Sequence, residues 1–257
     1  MKVLRQFTTS RWYKPVLTML GLVFLFFAWW ISSLIINKTL YPTPIVAFSR
    51  LFEMLGQFNT WNAIYQTIRR LMVAFLLSFS ISLILGILGG IFKGFRHFFN
   101  PFVIVLRTIP TATVAIIFIV LLKPNNGLYI IDFLMMFPIL YEAVVAGVKN
   151  IDKSILDALS LDDRKTSANS LFKIIIPMSF PYVGLGIIQS LGLGMKVSIM
   201  SEILIGDTSI KGLGQLLRIA QSESDMPTVF AIALIAIFVI SLLDILVSII
   251  KNKFIQK

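Results

Sequence analysis

Residues 71–92 read LMVAFLLSFSISLILGILGGIF, a predominantly apolar block without a single charged side chain. An α-helix rises 1.5 Å per residue, so a block of this length spans roughly 30 Å, the thickness of a bilayer's hydrocarbon core. The block is apolar all round, which is typical of a helix surrounded by lipid and protein rather than by water. It therefore predicts a helix that crosses a membrane.

Five further stretches satisfy the same condition, and together the six predict an all-α membrane protein with six transmembrane helices. Apolar residues fill 57% of the 257 positions and charged residues only 14%, with a mean hydropathy of +0.90. A water-soluble domain of this length would need far more polar surface to cover its core. The predicted spans are 15–36, 66–92, 100–122, 127–148, 178–200 and 228–250.

The basic residues predict the orientation of these spans. The chain has 23 Lys and Arg against 12 Asp and Glu, a net charge of +11. Most of the cationic side chains lie in the connections, where the positive-inside rule and anionic lipid headgroups explain them without a nucleic-acid partner. With the N-terminus in the cytoplasm, 14 basic residues fall in inside connections and 5 in outside ones. We therefore expect both termini in the cytoplasm.

The sequence lacks the signatures of enzymes that work alone. It has no cysteine and a single histidine, His97, in a short basic turn, so we expect neither a metal site nor a thiol nucleophile. No Gly-rich loop followed by Lys-Ser or Lys-Thr is present to hold nucleotide phosphates. The glycines of Gly86-Ile-Leu-Gly-Gly90 lie inside a span, where small residues allow helices to pack closely. We predict no catalytic residue and no cofactor bound by this chain.

The connection 149–177 is too long for a simple turn. It is charged, lies on the predicted cytoplasmic side and contains two short amphipathic stretches before Ile176-Pro177. Long ordered loops of a compact protein are usually functional, and a proline fits the first turn of the following helix. Two interpretations remain: a surface that docks a cytosolic partner, or a solvated loop.

Charged residues inside the predicted spans are costly and need a reason. Arg107 lies about 10 Å from the cytoplasmic end of its span and Glu142 about 9 Å from the same face, at 1.5 Å per residue. A four-residue turn joins the two spans, so we predict that Arg107 pairs with Glu142, with Asp244 as the alternative partner. A helix break at Pro110 would let Arg107 turn inward. The competing interpretation is that Arg107 reaches the headgroups and Glu142 is protonated or hydrogen-bonded alone.

Three other cations lie about 6 Å from the outer ends of their spans, at 1.5 Å per residue. Long cationic side chains at this depth can extend to the lipid headgroups. We expect this of Arg69, Arg70 and Lys196.

Several short motifs follow one another in the order and spacing of a known family. They are Tyr41-Pro-Thr-Pro44, Thr67-Ile-Arg-Arg70, Gly86 to Gly90, Pro101 to Arg107-Thr-Ile-Pro110, Phe137 to Tyr141, Gly147 to Asp152, Ile176-Pro177, Pro181-Tyr182, Lys196, Ser201-Glu202 and Gly212-Leu-Gly214. In this arrangement the chain resembles the inner-membrane permeases of binding-protein-dependent ABC importers, in the nitrate, sulfonate and taurine branch. The resemblance covers nearly the whole chain.

The resemblance implies the type I ABC importer permease fold and alternating access in a bacterial cell membrane. The implied partners are a second permease copy in a homodimer, two cytosolic ATPase subunits that carry ATP and magnesium, and an extracytoplasmic substrate-binding protein. Implied substrates are a small anion such as a sulfonate or nitrate, or a heterocycle related to a thiamine precursor. Candidate pathway or gating residues are Pro110, Lys196 and Glu202.

The resemblance also implies a role for the connection 149–177 in coupling to the ATPase. Asp157-Ala-Leu159 stands where the family has Glu-Ala-Ala, the family's glycine is not evident, and Ile176-Pro177 stands in place of Leu-Pro. The implied coupling residues are Asp157, Ala158, Leu159, Leu161, Leu171 and Pro177.

Two other classes of function are compatible with the residues. A secondary transporter driven by an ion gradient would need intramembrane carboxylates, for which Asp132, Glu142 and Asp244 are candidates. A membrane scaffold that transports nothing is the second. Dependence of uptake on ATP, and copurification with an ATPase, distinguish these classes from an importer.

The predicted topology can be tested because an introduced cysteine would be the only thiol in the chain. Asn125→Cys and Gly206→Cys should react with a membrane-impermeant maleimide in sealed cells. Asn169→Cys and Asn252→Cys should react only after the membrane is permeabilised. Labelling of Asn169→Cys from outside would overturn the six-span orientation.

Overall fold

The computed structural model describes residues 13–36, 40–122, 124–152, 154–155, 170–206 and 210–255. Within these ranges all regular elements are helices and no residue forms a strand, which confirms the all-α prediction. In chain order the helices are α1 (Tyr13–Ile35), α2 (Pro44–Leu55), α3 (Phe58–Ile91), α4 (Lys93–Thr108), α5 (Thr111–Leu121), α6 (Pro124–Lys149), α7 (Ile176–Ile205), α8 (Leu213–Ser222) and α9 (Met226–Ile255), with a π-helical turn at Leu171–Ile175 just before α7.

Five of the described helices are long and apolar enough to cross a membrane, and a sixth candidate consists of a bent pair. That pair is α4 and α5, whose axes differ by 94°. The predicted span 100–122 is therefore not one straight helix. The cause is local, because Pro110 has no N–H to donate and disfavours helical backbone at Ile109, which is extended.

Several helices extend beyond the predicted spans or lie outside them. α3 begins at Phe58 rather than at residue 66, and α7 continues to Ile205 rather than ending at residue 200. The added turns contain polar residues such as Asn59 and Asn62, which do not belong in a hydrocarbon core. The amphipathic helices α2 and α8 lie in connections for which the sequence predicted no element.

The chain folds into two compact units, Met1–Gln57 with Ile219–Leu234, and Phe58–Arg218 with Ile235–Lys257. In the first unit, aromatic side chains join α1 to the beginning of α9. Trp29 stacks on Phe230 with a centroid distance of 5.6 Å, and its indole N–H donates to the carbonyl of Pro42 at 3.1 Å. Tyr41 contacts the same Phe230 edge-on at 5.3 Å.

Arg50 on α2 completes the first unit by binding the N-terminus of α9. Its guanidinium donates to Thr228 Oγ1 at 2.7 Å and to Asp225 Oδ2 at 3.3 Å. Asp225 in turn accepts from the backbone N–H of Thr228, as a helix-capping residue does. Burial raises the pKa of the Asp225 carboxyl, but these hydrogen bonds and the Arg50 charge outweigh burial and hold the pKa below its usual value.

In the second unit, α6 packs against both α3 and α7 with small residues at the contacts. A Cβ at Gly86 of α3 would lie 2.6 Å from Val144 Cβ on α6, and one at Gly147 of α6 would lie 2.8 Å from Ser179 Cβ on α7. Real Cβ atoms do not approach so closely, so only glycine permits these helix separations. A buried apolar cluster surrounds these contacts and contains Val144, Val148, Ile151, Ile175 and Val183.

The close contact between Gly86 and Val144 predicts that adding one methyl group at position 86 destabilises the protein. Gly86→Ala should cost roughly 1–3 kcal/mol, because the added carbon overlaps Val144 on the rigid backbone of α6. Gly192→Ala on α7 is the matched control, since a Cβ there meets nothing within 4 Å and alanine favours helix. Thermal unfolding of the purified protein in detergent measures both. Equal midpoints for the two variants would contradict the close approach.

Candidate functional site

A cavity of about 270 Å³ opens where α4, α6 and α7 meet in the second unit. The break after Thr108 places Arg107 in the last turn of α4, beside α6. Glu142 lies on α6, and α7 contributes Tyr182 and Gln189. The remaining wall is small or apolar and includes Ala143 and Gly186.

Arg107 and Glu142 form an ion pair at this cavity. Arg107 Nη1 lies 2.6 Å from Glu142 Oε1 and 2.5 Å from Oε2. The side chains are 55% and 42% exposed, so the pair faces the open space rather than the core. The structure therefore places the predicted partners together, and Glu142 rather than Asp244 occupies the position beside Arg107.

A second charged cluster, which we call the Arg70–Glu202 network, is buried between α3 and α7. The Arg70 guanidinium donates to a Glu202 carboxylate oxygen, and both side chains are almost fully buried. Glu202 also accepts from Thr67 Oγ1 at 2.9 Å and from the backbone N–H of Gly214 at 2.8 Å. Both carboxylate oxygens of Glu202 are thus paired, as a buried charge requires, whereas Arg70 Nε has no hydrogen-bond partner among the described residues.

The network also binds the residues that follow α7 through hydrogen bonds. Arg70 donates to the carbonyl of Lys211 at 2.9 Å, and the N–H of Leu213 donates to Thr67 Oγ1 at 3.0 Å. Gly212 and Gly214 are necessary here, since a Cβ at either position would overlap atoms of Glu202. The motif Gly212-Leu-Gly214 thus leaves room for the carboxylate that it helps to bind.

A third polar contact lies deeper in the second unit. Asp132 on α6 is fully buried and accepts from Ser198 Oγ on α7 at 2.5 Å. Its other carboxylate oxygen, Oδ1, has no hydrogen-bond partner among the described residues. No group of three or more metal-binding side chains occurs in the described part of the chain.

The sequence profile of a family described as the binding-protein-dependent transport system inner membrane component matches residues 82–256. The chain belongs to this family. It is a permease subunit of the ABC transporter class, a multi-pass membrane protein with the type I permease fold. The matched region begins within α3 and includes α4 to α9, and with them the cavity and Glu202.

Individual relatives agree with this assignment. A protein described as a probable ABC transporter permease in Brucella melitensis is 27% identical over 231 residues, which are 88% of this chain and 92% of the relative. SsuC of Bacillus subtilis, named for aliphatic sulfonates transport, is 26% identical over 86% of this chain and 79% of its own length. OpuAB of the same organism, named for glycine betaine transport, is 21% identical over 72% of this chain and 63% of its own.

The candidate pathway residues of the permease lie in different surroundings. Pro110 is exposed and caps α5 at the helix break. Lys196 is exposed on α7. Glu202 is 2% exposed inside the Arg70–Glu202 network and does not line the cavity. The structure thus separates three residues that the sequence grouped together.

Arg70 corrects the expectation that Arg69 and Arg70 on α3 both reach the headgroups. Arg69 is exposed, whereas Arg70 is 4% exposed and turns toward Glu202. Successive residues differ by about 100° around a helix, so equal depth does not mean equal surroundings. Arg70 faces the protein and binds a buried carboxylate. Depth along the helix does not distinguish Arg70 from Arg69, so the sequence did not predict this network.

The coupling residues proposed for the permease fall mostly outside the described part of the chain. Asp157, Ala158, Leu159 and Leu161 lie there, whereas Leu171 begins the π-helical turn. Pro177 is exposed in the first turn of α7, where a missing N–H has no cost.

Contacts between the ends of α6 and α7 bring the two sides of the coupling connection together. Ile151 and Ile175 belong to one buried cluster, and Gly147 lies against Ser179. The connection therefore begins and ends at neighbouring positions of the second unit.

The Arg70–Glu202 network predicts unequal effects for two adjacent arginines. Arg70→Gln should destabilise the permease by roughly 3–5 kcal/mol, because Glu202 remains buried without a counter-charge. Arg69→Gln, the exposed neighbour, should change stability by no more than about 0.5 kcal/mol. Thermal unfolding in detergent provides the measurement, and adding Glu202→Gln to Arg70→Gln should restore part of the loss. Equal losses for the two single variants would contradict the network.

The cavity ion pair predicts coupling between Arg107 and Glu142. Arg107→Glu and Glu142→Arg should each impair folding or uptake, because each places two like charges at contact distance. The double swap should recover part of the loss, with a coupling of at least about 0.5 kcal/mol in a double-mutant cycle. A double variant as poor as the sum of the singles would show that the two side chains do not interact.

Proposed function

We propose that this permease is the membrane-spanning subunit of an ATP-driven importer for a small sulfonate-like anion. The observation that carries the proposal is the match of residues 82–256 to the binding-protein-dependent family. The similarity to SsuC, a relative named for aliphatic sulfonates transport, supports a sulfonate over the other small anions. The Arg107 cation in an open cavity is compatible with such a solute. Nitrate and a heterocycle related to a thiamine precursor are the alternative substrates.

The proposed assembly contains two permease copies, two cytosolic ATPase subunits and an extracytoplasmic binding protein. ATP and magnesium would bind to the ATPase subunits, and this chain would contribute no cofactor site. Both termini would face the cytoplasm, as the excess of basic residues in the same connections suggests. The family description, which names binding-protein-dependent transport, supports a binding protein as a partner, and the numbers of permease and ATPase subunits are part of the proposal.

The proposed mechanism is alternating access. Closure of the ATPase subunits on ATP would move the connection between α6 and α7, and the helices would then expose the pathway on the opposite side. The packing of Gly147 against Ser179 supports transmission, because movement of the connection would reach both helices at once. Rigid helices that meet at such a contact transmit displacement better than a flexible loop does.

Uptake by proteoliposomes tests the proposal against the secondary-transport alternative. The permease is reconstituted with its ATPase and binding protein, and entry of a labelled alkanesulfonate is measured with ATP or with a non-hydrolysable analogue. We expect uptake only with ATP, and no loss when an ionophore dissipates ion gradients. Uptake that persists without ATP and disappears with the ionophore would instead support an ion-driven carrier. Failure to stimulate or copurify any ATPase would favour a scaffold.

The proposed coupling residues of the connection 149–177 yield a separate prediction. Leu159→Asp with Leu161→Asp should abolish ATP-driven uptake while membrane insertion persists, because an apolar docking face would become charged. Thr166→Asp with Ser167→Asp adds the same charge to polar positions of the same connection and should retain most of the uptake. Copurification with the ATPase should fall in parallel for the leucine pair. Full uptake by that pair would remove the support for coupling through this segment.

A further inference from the structure

We propose that α4 lies along the membrane interface and that its N-terminal half binds an anionic phospholipid. The negative headgroup would contact the cationic side of α4, and the acyl chains would contact its exposed phenylalanines. The proposal concerns the lipid that surrounds the permease and is independent of the solute that it transports.

The residues of α4 separate into a cationic side and an apolar side. Successive residues lie about 100° apart around a helix, which places Lys93, Arg96, His97 and Asn100 on one side. The opposite side is apolar and carries Phe95, Phe98, Phe99, Phe102, Val105 and Leu106. Helices that lie along a bilayer surface have this pattern, with basic residues toward the headgroups and aromatic residues toward the acyl chains.

The apolar side of α4 is covered by α6 along one edge and open along the other. The rings of Phe99 and Tyr141 are 5.2 Å apart between centroids, and Val103 is buried in the same cluster. Farther round the helix lie Phe98, Phe102 and Val105, which we call the α4 strip. These three side chains are 68%, 55% and 52% exposed within the described part of the chain. The α4 strip therefore offers an apolar surface to lipid or to a partner protein.

The direction of α4 is the second observation. Phe99 contacts Phe137 and Tyr141, whereas Arg107 contacts Glu142. The eight residues from Phe99 to Arg107 extend about 12 Å along α4, yet their partners on α6 lie within Phe137–Glu142, at most five residues apart. α4 therefore runs across α6 rather than along it. Because α6 is long and apolar enough to cross the membrane, α4 lies closer to the membrane plane than to its normal.

The cationic end of α4 lies at a membrane face. α3 ends at Ile91, two residues before α4 begins, and Gly90 packs against Val148 near the end of α6. Lys149, which is exposed at the end of α6, therefore lies at the same face as Lys93. In the proposed orientation of the permease this face is cytoplasmic.

The charge at this face favours a lipid over a second permease copy as the occupant. No ion pair in the described part of the chain includes Lys93, Arg96 or Lys149. The sequence has no Asp or Glu between Glu53 and Asp132. A second copy packed symmetrically on the α4 strip would bring the same cations, which repel one another. An anionic lipid surface instead attracts each nearby Lys or Arg about fivefold.

A fluorescent label on the α4 strip tests for the lipid directly. Phe98→Cys introduces the only thiol, because the chain has no cysteine of its own. The full-length variant is labelled with bimane and placed in phosphatidylcholine nanodiscs that contain either brominated phosphatidylglycerol or brominated phosphatidylcholine. Brominated acyl chains quench the label on contact. We expect half-maximal quenching at a mole fraction at least threefold lower for phosphatidylglycerol than for phosphatidylcholine.

Matched variants separate the cations of α4 from general contact with lipid. Lys93→Gln with Arg96→Gln should reduce the preference for phosphatidylglycerol at least twofold. Arg69→Gln with Lys211→Gln removes two exposed cations outside α4 and should preserve the preference. A label at Val120→Cys, which is 78% exposed on α5, should be quenched equally by the two lipids.

Equal quenching of the Phe98→Cys label by the two lipids would overturn the proposal. An unchanged preference after the loss of Lys93 and Arg96 would overturn it as well. A disulfide-linked dimer of Phe98→Cys, without quenching by either lipid, would place a second copy on the α4 strip instead. If the glutamine variant fails to fold, the comparison of the labels at positions 98 and 120 decides the matter. The assay contains neither ATP nor a solute, so its outcome is separate from that of the proposed sulfonate transport.

Discussion

The close contact of α3 with α6 is the constraint on which the second unit depends. Lipid offers helices no strong hydrophobic drive to associate, so close packing between small residues must supply much of the contact energy. At Gly86 the backbone of α3 approaches Val144 on α6 so closely that a Cβ would overlap it. α6 can then contact α7 as well, which places Asp132 against Ser198 and Gly147 against Ser179. The same helix presents Glu142 to Arg107.

Three features of this arrangement could be predicted because they depend on position along the chain alone. The apolar blocks indicated where the long helices lie, since a membrane core sets a minimum length for each. Depth also indicated that Arg107 and Glu142 would meet, and they do so although α5 lies between the helices that carry them in the sequence. The close packing at Gly86 was expected from the clustering of glycines within a span.

Other features depend on direction around a helix or on angles between helices, which an evenly apolar sequence does not encode. Arg69 and Arg70 are the same type of residue at nearly the same depth along α3, yet only Arg70 is buried. Pro110 indicated a break, but the presence of a proline does not by itself predict the 94° angle between α4 and α5. The amphipathic helix α2 was not predicted because its 12 residues do not form a long apolar block.

The length of α3 has a consequence for where the bilayer lies. Its 34 residues would extend roughly 51 Å at 1.5 Å per residue, about 20 Å more than the hydrocarbon core. The charge-free block that begins at residue 71 accounts for the core, which leaves 58–70 in the headgroup region and beyond. Arg70 therefore marks the boundary at which hydrocarbon ends, and Glu202 lies at that boundary with it. In a thicker bilayer this ion pair would lie at the depth of the hydrocarbon core. Hydrophobic mismatch would therefore act directly on the Arg70–Glu202 network, which holds the segment after α7.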